Sequence, residues 1–406
     1  MPLAALKNWS TAQKHAVAAS YVGWTLDAFD YFLLVMVVTD IAREFGVSVA
    51  TLSLATTLTL AARPVGAFLF GRLADRFGRR PIMMIDVSCY ALLAFASAFA
   101  PNLTVFFILR ALFGVAMGGE WGVGASLAME TIPAGSRGFV SGLLQAGYPS
   151  GYLLASLAYG VLFPLVGWRG LFMAGLAPAL LVLYIRRLVP ESPGWSHEHA
   201  RASTIAATLA RHWRLVVYGM LLMTCFNFFS HGTQDLYPTF LKVDHLYKPQ
   251  TVSAIQVTYN VGAILGGIVL GTLSQRWGRR RVIVTGALLS LLAIPFWAWG
   301  TTPVILAAGA FAMQFFVQGC WGVIPAHLNE LSPAEARATF PGFVYQLGNF
   351  FASINLPLQA SLAVKFGSYA VSLLVVAGAA ALGVALFTFA GREARDVDMQ
   401  ASPTKA

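Results

Sequence analysis

The chain has 406 residues, of which 57% are hydrophobic and only 11% are charged. A soluble domain usually carries about twice that charged fraction, so the composition excludes an ordinary soluble protein. The formal net charge of +10 would suit a nucleic-acid partner only if the basic residues were clustered, and they are spread between apolar runs.

Twelve apolar runs near 20 residues, the length that crosses about 30 Å of hydrocarbon, are predicted to be membrane helices. In chain order they cover residues 16–41, 50–71, 82–100, 103–129, 138–166, 170–189, 215–240, 251–273, 282–300, 303–328, 338–364 and 367–391. The first run carries two aspartates and lacks a small-residue cleavage pattern, so we expect no cleaved signal peptide. The sequence therefore predicts an all-α, multi-pass membrane protein.

The basic residues fix the predicted orientation. With the N-terminus in the cytoplasm, most of the 27 lysines and arginines fall in inside segments. The outside loops then hold Arg43, Arg169, Lys242, Lys248 and Lys365. The positive-inside rule places both termini in the cytoplasm, as in a bacterial inner-membrane protein, and no nucleic-acid partner is needed to explain the charge.

Sliding the chain against itself by 200 positions superimposes two loops. Gly71, Gly78 and Arg79 fall on Gly271, Gly278 and Arg279. We therefore predict two six-helix halves, 1–189 and 215–391, joined by a cytoplasmic linker, 190–214, and followed by a tail, 392–406. Halves with an even number of spans run parallel, and a solute site is expected between them at mid-membrane.

The loop "GRLADRFGRRP", Gly71 to Pro81, resembles the signature loop of the major facilitator superfamily, and "RALFGVAMGG" and "GYPSG" are similar to further motifs of that superfamily. Gly71 would let helices approach closely, while Asp75 and the following arginines could form a charge relay; alternatively, the arginines only anchor the topology. The predicted gating residues are Gly71, Asp75, Arg76, Gly78, Arg79, Arg276 and Arg279. In the second copy Gln275 replaces the aspartate, which predicts a weaker relay there.

Several charged residues lie inside predicted spans, where each costs about 2.5–3.5 kcal/mol and usually serves function. Asp27 and Asp30 lie one helical turn apart near the middle of the first span, and are interpreted as proton sites or as counter-ions to arginine. Arg63 lies near the middle of the second span and offers a bidentate fork to a carboxylate. Arg110 and Glu120, in the fourth span, could be functional or could brace the first half.

The seventh span contains "NFFSHGTQDLYPTF", an unusually polar stretch. Asn227, His231 and Gln234 fall at helical spacing on one face, and Asp235 lies one turn beyond His231. Pro238 is predicted to break the helix near its outer end. A lone membrane histidine would usually be a packing residue, but four polar groups in register favour a substrate and proton site.

The residue pattern of this stretch is similar to the helix 7 signature of Jen-type lactate and pyruvate permeases, within the sialate:proton symporter family. "LDAFDYF", "ARPVG" and "YQLGN" resemble the same family. The resemblance implies substrate or transport roles for Arg63, Asn227, His231, Asp235 and Gln346. Sialate carriers of the family resemble fourteen-span proteins with extra central helices, whereas here a polar linker occupies that position.

We therefore predict a major facilitator fold and a proton-coupled symporter of a small monocarboxylate such as lactate or pyruvate, working by alternating access. The alternative is another organic acid, sialate or an aromatic acid, because "DAFD" also resembles the helix 1 motif of aromatic-acid symporters. The predicted substrate-binding residues are Arg63, Asn227, His231, Gln234, Asp235 and Gln346, and the predicted proton-coupling residues are Asp27, Asp30, Glu120, His231 and Asp235. The expected partners are the organic anion, a proton and the lipid bilayer, and the expected state is a monomer.

Other classes of protein fit the sequence poorly. An enzyme would need a catalytic constellation. The sequence has no spacing that supports a serine–histidine–aspartate triad, no metal-ligand cluster and no phosphate loop. The cysteines Cys89, Cys225 and Cys320 lie within helices without metal-ligand spacing, so neither a metal nor a cofactor is expected. A channel is disfavoured, because two halves around one central charged site suit alternating access.

Overall fold

A computed structural model describes residues 9–47, 49–193, 195, 210–395, 397 and 399. This part of the chain is helical and contains no β-strand. The helices of the first half are α1 Thr11–Glu44, α2 Val49–Phe77, α3 Arg79–Ser97, α4 Leu103–Thr131, α5 Arg137–Gln145, α6 Gly147–Ala174 and α7 Ala179–Leu188. Those of the second half are α8 Trp213–Gln234, α9 Tyr237–Val243, α10 Pro249–Trp277, α11 Arg279–Trp299, α12 Pro303–Trp321, α13 Ile324–Leu331, α14 Thr339–Ala352, α15 Asn355–Phe366 and α16 Tyr369–Ala390. Most of the predicted linker, 190–214, and tail, 392–406, lies outside the described residues.

Nine helices of the described residues are long and apolar enough to cross a membrane, and a bent pair, Ala134–Tyr159 with Val161–Ala174, makes a possible tenth. The predicted sixth and eleventh spans are interrupted instead of continuous. Within the sixth, 170–189, α6 ends at Ala174 and α7 begins at Ala179; within the eleventh, 338–364, α14 ends at Ala352 and α15 begins at Asn355. Gly167, with a φ of 64°, interrupts the helical conformation inside α6 between the predicted fifth and sixth spans. Apolar length alone therefore predicted more continuous spans than the helices themselves provide.

Glycines allow the central helices of each half to lie against one another. A Cβ atom at Gly66 of α2 would lie 1.6 Å from the carbonyl oxygen of Val115 of α4. At the equivalent position 200 residues later, a Cβ at Gly266 of α10 would lie 2.0 Å from the carbonyl oxygen of Phe315 of α12. Small residues permit such approach within a membrane, where packing contacts drive helix association. The internal repeat is thus visible as a repeated helix crossing.

The two halves meet tightly on the cytoplasmic side. Gly122 of α4 faces Gly342 of α14 so closely that a Cβ at either glycine would lie 3.0 Å from the Cα of the other. The backbone nitrogen of Ala326 donates a hydrogen bond of 3.0 Å to Ser141 Oγ across the same interface. Trp121 and Tyr345 also contact one another across it, with ring centroids 4.8 Å apart. Contact on this side leaves the space between the halves at the outer side, where the candidate site lies.

Candidate substrate and proton site

A cavity of about 510 Å³ lies between the two halves. The first half contributes Tyr31, Phe32, Val35 and Val38 of α1, Thr56, Thr57 and Leu60 of α2, and Tyr148, Pro149 and Tyr152 of α6. The second half contributes His231, Gln234, Asp235, Pro238, Gln256, Tyr259, Asn260, Ala263, Gln318, Asn349, Ala352 and Ser353. With both termini in the cytoplasm, these residues belong to the middle and outer parts of their helices, so the protein is closed toward the cytoplasm and faces outward.

His231 and Asp235 form a hydrogen-bonded pair in the wall of this cavity. His231 Nδ1 lies 3.2 Å from Asp235 Oδ1, and its Nε2 lies 3.3 Å from Asn349 Oδ1 of α14. The imidazole is thus fixed at both nitrogens while its side chain remains 25% exposed. Asp235 in turn accepts a hydrogen bond of 3.4 Å from Asn355 Nδ2. This arrangement presents a titratable pair to a solute in the cavity.

Pro238 positions that pair by ending the helix beneath it. Proline has no N–H, and its ring clashes with the carbonyl four residues earlier, which here belongs to Gln234. The helix α8 accordingly ends at Gln234, and α9 begins at Tyr237 with Pro238 in its first turn. Asp235 therefore lies at a break between two helices.

Amide side chains extend the polar wall of the second half. Gln234 Nε2 donates to Ser230 Oγ at 3.2 Å and to Gln314 Oε1 at 3.1 Å. Gln318 Nε2 also donates to Ser230 Oγ at 3.0 Å, while its buried Oε1 has no hydrogen-bond partner in the part of the chain that the structure describes. The free amide oxygen of Gln318 can accept a hydrogen bond from a hydroxyl or N–H group of a solute.

The opposite wall is aromatic. Phe32 packs edge-on against Tyr148 and Tyr152, with ring centroids 5.2 and 4.6 Å apart respectively. Tyr31 continues this surface on α1, and Tyr259 of α10 adds a further ring from the second half. Such surfaces offer both apolar contact and phenolic hydroxyls to a bound molecule.

Arg63 lies deeper than the cavity, one turn below Leu60 on α2, and is buried. Its Nη2 is 3.9 Å from Asp27 Oδ2, and its Cζ is 5.9 Å from the ring centroid of Trp24. Among the described residues, Nε and Nη2 of Arg63 have no hydrogen-bond partner, and neither carboxylate oxygen of Asp27 accepts a hydrogen bond. The pair is therefore electrostatic, and the guanidinium keeps donors available for an anion.

Two other predicted binding residues lie outside the cavity lining in this conformation. Asn227 Nδ2 donates to the backbone carbonyls of Met223 and Tyr345, at 2.8 and 3.5 Å, so it ties α8 to α14. Gln346 is fully buried, its Oε1 accepts from Asn349 Nδ2 at 3.4 Å, and its Nε2 has no partner within the described residues. Gln346 thus reaches the histidine only through Asn349.

The remaining buried charges of the first half are separated from the cavity. Arg110 Nη2 donates to Ser97 Oγ at 2.6 Å, and its Cζ lies 4.3 Å from the ring centroid of Phe113. These contacts join α3 to α4 and fit the bracing interpretation of Arg110. Asp30 and Glu120 are buried, and neither carboxylate accepts a hydrogen bond from a described residue.

Asp75 connects the two halves at the cytoplasmic end. Its Oδ1 accepts from the backbone nitrogen of Ala338 at 3.0 Å, and its Oδ2 accepts from the backbone nitrogen and hydroxyl of Thr339 at 3.1 and 2.6 Å. These are the first free N–H groups of α14, where a negative charge is favoured by the helix dipole. Arg79 Nη2 also forms an ion pair with Asp75 Oδ1 at 3.2 Å. The carboxylate is therefore placed to stabilise the cytoplasm-closed state.

The second copy of the loop makes a weaker version of this contact. Gln275 Oε1 accepts one hydrogen bond from the other half, from the backbone nitrogen of Gly138 at 3.1 Å. Arg279 pairs with Glu330 at 3.0 Å just as Arg79 pairs with Glu130 at 3.0 Å. Gln275 brings no charge to this contact, and the weaker relay at the second copy stays a prediction.

The other predicted gating residues divide into two groups. Gly71 contacts α14, since a Cβ there would lie 2.7 Å from Thr339 Cα, and Gly78 has a φ of 103°, which favours glycine. The side chains of Arg76 and Arg276 are exposed. Arg76 packs over Phe77, with its Cζ 5.2 Å from the ring centroid, so it takes no part in the contact that Asp75 makes.

Sequence reasoning missed three carboxylates. Glu191 accepts from the backbone nitrogen of Arg79 at 2.8 Å, and Glu393 accepts from that of Arg279 at 3.1 Å, so each caps the helix that follows a signature loop. The third is Asp86 of α3, which is fully buried. A charge count along the third span would have shown Asp86, while the two caps are distant in sequence from the loops that they hold.

A family model described as Major Facilitator Superfamily matches residues 21–246 and 220–405. The chain belongs to this superfamily. Among solved structures, the fold is similar to that of the proton:xylose symporter XylE, with a TM-score of 0.75 and 19% identity over 96% of this chain and 98% of that one. It is also similar to FucP in the outward conformation, with a TM-score of 0.76 and 15% identity over 93% of this chain and 98% of that one. The predicted fold class is thereby confirmed.

Several relatives of the chain are named as transporters of organic acids and related solutes. The chain is 26% identical to the sialic acid transporter NanX of Escherichia coli, over 93% of each protein. It is 25% identical to the putative niacin/nicotinamide transporter NiaP of Bacillus subtilis, over 97% of this chain and all of that protein. It is 26% identical to a carboxylic acid transporter protein homolog of Saccharomyces cerevisiae, over 90% of this chain and 64% of that protein. The protein is thus a multi-pass secondary transporter of this superfamily, and the relatives do not single out lactate or pyruvate.

Proposed function

We propose that the protein takes up a ring-bearing organic acid together with a proton across a bacterial inner membrane, by alternating access. The observation that carries this proposal is the composition of the cavity. One wall holds the His231–Asp235 pair and amide side chains, and the other holds Phe32 and tyrosine rings. Acidic, hydrogen-bonding and apolar parts of one solute would each meet a matching surface there.

The size of the cavity favours a ring-bearing acid over lactate or pyruvate. The cavity volume of about 510 Å³ falls within the range of about 300–1,000 Å³ that is typical of sites for drug-sized ligands. A three-carbon acid would leave most of that volume to water and would not reach both walls. Relatives that carry sialic acid and niacin support the same choice, so we replace the sequence-based preference for lactate or pyruvate by its alternative.

Arg63 is proposed to receive the carboxylate as the halves close around the solute. Its unpartnered Nε and Nη2 donors would bond an anion in the planar, bidentate geometry that only arginine offers. A buried guanidinium with unmade hydrogen bonds is costly, so binding of the anion would satisfy the donors and draw Arg63 away from Asp27. Asp27 would then lose its cationic neighbour and bind the accompanying proton more readily.

Coupling to a proton follows from the charge of the solute. An anion that enters a cell with a negative interior is opposed by about 2.3 kcal/mol per 100 mV, and one co-transported proton removes that opposition. The groups predicted to bind the proton are the His231–Asp235 pair and the carboxyl groups of Asp27, Asp30 and Glu120.

Proteoliposomes with an imposed inward proton gradient test the proposal. Nicotinate, a hydroxybenzoate and sialate are offered as labelled solutes and as competitors, beside lactate and pyruvate. We expect a ring-bearing acid to accumulate above its external concentration and to be displaced poorly by lactate. Tighter competition by lactate or pyruvate than by every ring-bearing acid would overturn the substrate class, and accumulation without a proton gradient would overturn the coupling.

One substitution separates aromatic acids from sialate. Aromatic pairs contribute about 0.5–1.5 kcal/mol beyond their buried area. Replacement of Tyr259 by leucine should therefore weaken uptake of an aromatic acid by about two- to tenfold while sialate uptake changes less. Equal losses for both solutes would show that the ring only shapes the cavity.

A further inference from the structure

The interior of the first half holds more negative than positive charge. Above the cytoplasmic gate, Asp27, Asp30, Asp86 and Glu120 are all buried, and the guanidinium groups of Arg63 and Arg110 are their buried cationic neighbours. If all were ionised, four negative charges would face two positive ones in a medium that stabilises isolated ions poorly. The described residues of this region therefore favour retention of protons on some of these carboxyl groups.

Asp86 is the member of this group with the fewest compensating contacts. Its side chain is fully buried, and neither oxygen has a hydrogen-bond partner among the described residues. Its electrostatic neighbours are Glu120 of α4 and Asp27 of α1, both acidic. The Glu120 carboxylate lies beside the helix that carries Asp86, since a Cβ at Gly23 would be 2.3 Å from Glu120 Oε1 and 3.2 Å from the end of the Met83 side chain, one turn before Asp86. Buried carboxyl groups that are neighbours cannot all ionise readily, so this pair retains a proton.

The side chains that surround Asp86 on its other sides do not relieve this repulsion. Cys89 and Tyr90 of the same helix are its other titratable neighbours. The elements α2 and α7 contribute apolar side chains to the surrounding cluster, such as Phe70 and Ile185.

Tyr90 adds a second buried polar group without a partner to this cluster of carboxyl groups. Its ring is fully buried and its hydroxyl has no hydrogen-bond partner among the described residues. This hydroxyl interacts electrostatically with Glu120, Asp27, Asp30 and Asp86 together. A hydroxyl both donates and accepts, so it can serve carboxyl groups in either protonation state.

The carboxyl groups descend from mid-membrane toward the cytoplasm. Asp27 is sixteen residues from the cytoplasmic start of α1 at Thr11, whereas Asp86 is seven residues from the cytoplasmic start of α3 at Arg79. At 1.5 Å per residue these depths are about 24 and 10 Å. The Glu120 carboxylate lies against the backbone of α1, since a Cβ at Gly23 would lie 2.3 Å from Glu120 Oε1.

We propose that Asp86 and Glu120 share one proton and form the inner proton-holding site of the transporter. The site receives the proton from Asp27 and releases it when the cytoplasmic side opens. Only O–H bonds change: one carboxyl oxygen loses the proton that the next one gains. This inference rests on the proposed proton-coupled uptake and adds to it the residues that release the proton inward.

The test uses the full-length protein in proteoliposomes that contain a pH-sensitive dye. Asp86→Asn keeps the size of the side chain and removes its ability to ionise, and Glu120→Gln does the same for its partner. The control is Asp244→Asn, which makes the same change at an exposed aspartate near the outer surface. Solute counterflow, which needs no net proton movement, is measured beside accumulation and internal acidification.

We expect Asp86→Asn to reduce gradient-driven accumulation and solute-dependent acidification at least tenfold, while counterflow falls by no more than about twofold. Asp86→Glu should restore acidification. Unchanged acidification per solute in Asp86→Asn would overturn this inference but leave proton-coupled uptake standing. Absence of acidification in the unsubstituted protein would overturn both.

A second measurement covers a variant that folds but does not transport. Infrared difference spectra of the purified protein, recorded across pH, should show a protonated carboxyl band that is lost or shifted in Asp86→Asn or in Glu120→Gln. A spectrum in which neither substitution changes that band would overturn the shared proton without any transport measurement.

Discussion

At the scale of single residues, the site depends on buried charges that lack their full set of hydrogen bonds. Arg63 and Asp27 are 3.9 Å apart, beyond hydrogen-bond distance, and both are almost completely buried. At this distance the attraction between the two buried charges offsets little of the free-energy cost of removing them from water. The pair is therefore weak evidence for a stabilising role. Its retention is better explained by a solute that completes the contacts.

Arg63→Lys tests this explanation. An ammonium keeps the charge but cannot reproduce the planar fork, so we expect loss of a charge-assisted contact of about 1.5–3 kcal/mol. The KM for uptake should then rise by about ten- to a hundredfold. Arg43→Lys, at the exposed outer end of α1, serves as the matched control. Near-normal KM in both variants would remove Arg63 from the binding site.

His231→Ala tests the pair in the cavity wall. A free imidazole titrates near pH 6.5, so His231 is the natural side chain to respond to an inward proton gradient. We expect gradient-driven accumulation to fall severalfold while solute exchange partly survives. Asp235→Asn should impair both, because Asp235 holds the imidazole at 3.2 Å and itself faces the cavity.

The control for this experiment is His245→Ala, at an outer loop position that packs against Phe240. Accumulation and a pH profile in His231→Ala that match those of the control would reduce His231 to a hydrogen-bonding spacer. The buried carboxyl groups of the first half would then be the groups that bind the transported proton.

At the scale of helices, the gate is a contact between a carboxylate and the start of a helix. Asp75 of α2 bonds the free N–H groups of Ala338 and Thr339 at the beginning of α14. The equivalent Gln275 makes one neutral hydrogen bond to Gly138. We therefore expect the two sides of the cytoplasmic gate to differ in strength, although the loops that form them are repeats.

Asp75→Asn should shift the protein toward its inward-facing state. The substitution removes the charge that α14 stabilises, a loss of about 1.5–3 kcal/mol from the closed state. We expect turnover to fall at least fivefold with KM within twofold, and thiol reagents should reach Ser141→Cys faster. Gln275→Ala is the matched control and should have the smaller effect. A large change in KM at unchanged turnover would contradict the gating role.

The helices and the repeat could be predicted from the sequence because they follow from local patterns. Apolar length marks the spans, and spacing by 200 residues marks Gly71 and Gly271 as equivalent. The helical face of His231 and Gln234 was predictable for the same reason. Which buried residues line the cavity was not predictable, since that depends on how two halves pack: Asn227 has the right spacing and yet bonds the backbone of Tyr345.

At the scale of the whole molecule, transport requires the cytoplasmic interface to open and close. That interface is built from close backbone contacts, as between Gly122 and Gly342, and from hydrogen bonds that cross between the halves, as from Ala338 and Thr339 to Asp75. Opening must break these contacts and closing must remake them, which suits rigid halves that rock around a central site. The buried charges move with the first half, whereas His231 moves with the second.

A reversible cross-link between the halves tests this motion directly. The backbone nitrogen of Ala326 lies 3.0 Å from Ser141 Oγ, so cysteines at both positions fall within reach of a disulfide. In a background without Cys89, Cys225 and Cys320, oxidation of Ser141→Cys/Ala326→Cys should abolish uptake and exchange, and a reductant should restore both. Solute binding from the outer side should persist, because the cavity lies on the other side of the interface from the cross-link. Each single-cysteine variant should transport equally well with and without oxidant. Sustained uptake after complete cross-linking would mean that the halves do not separate at this interface, and alternating access of the two halves would be wrong for this protein.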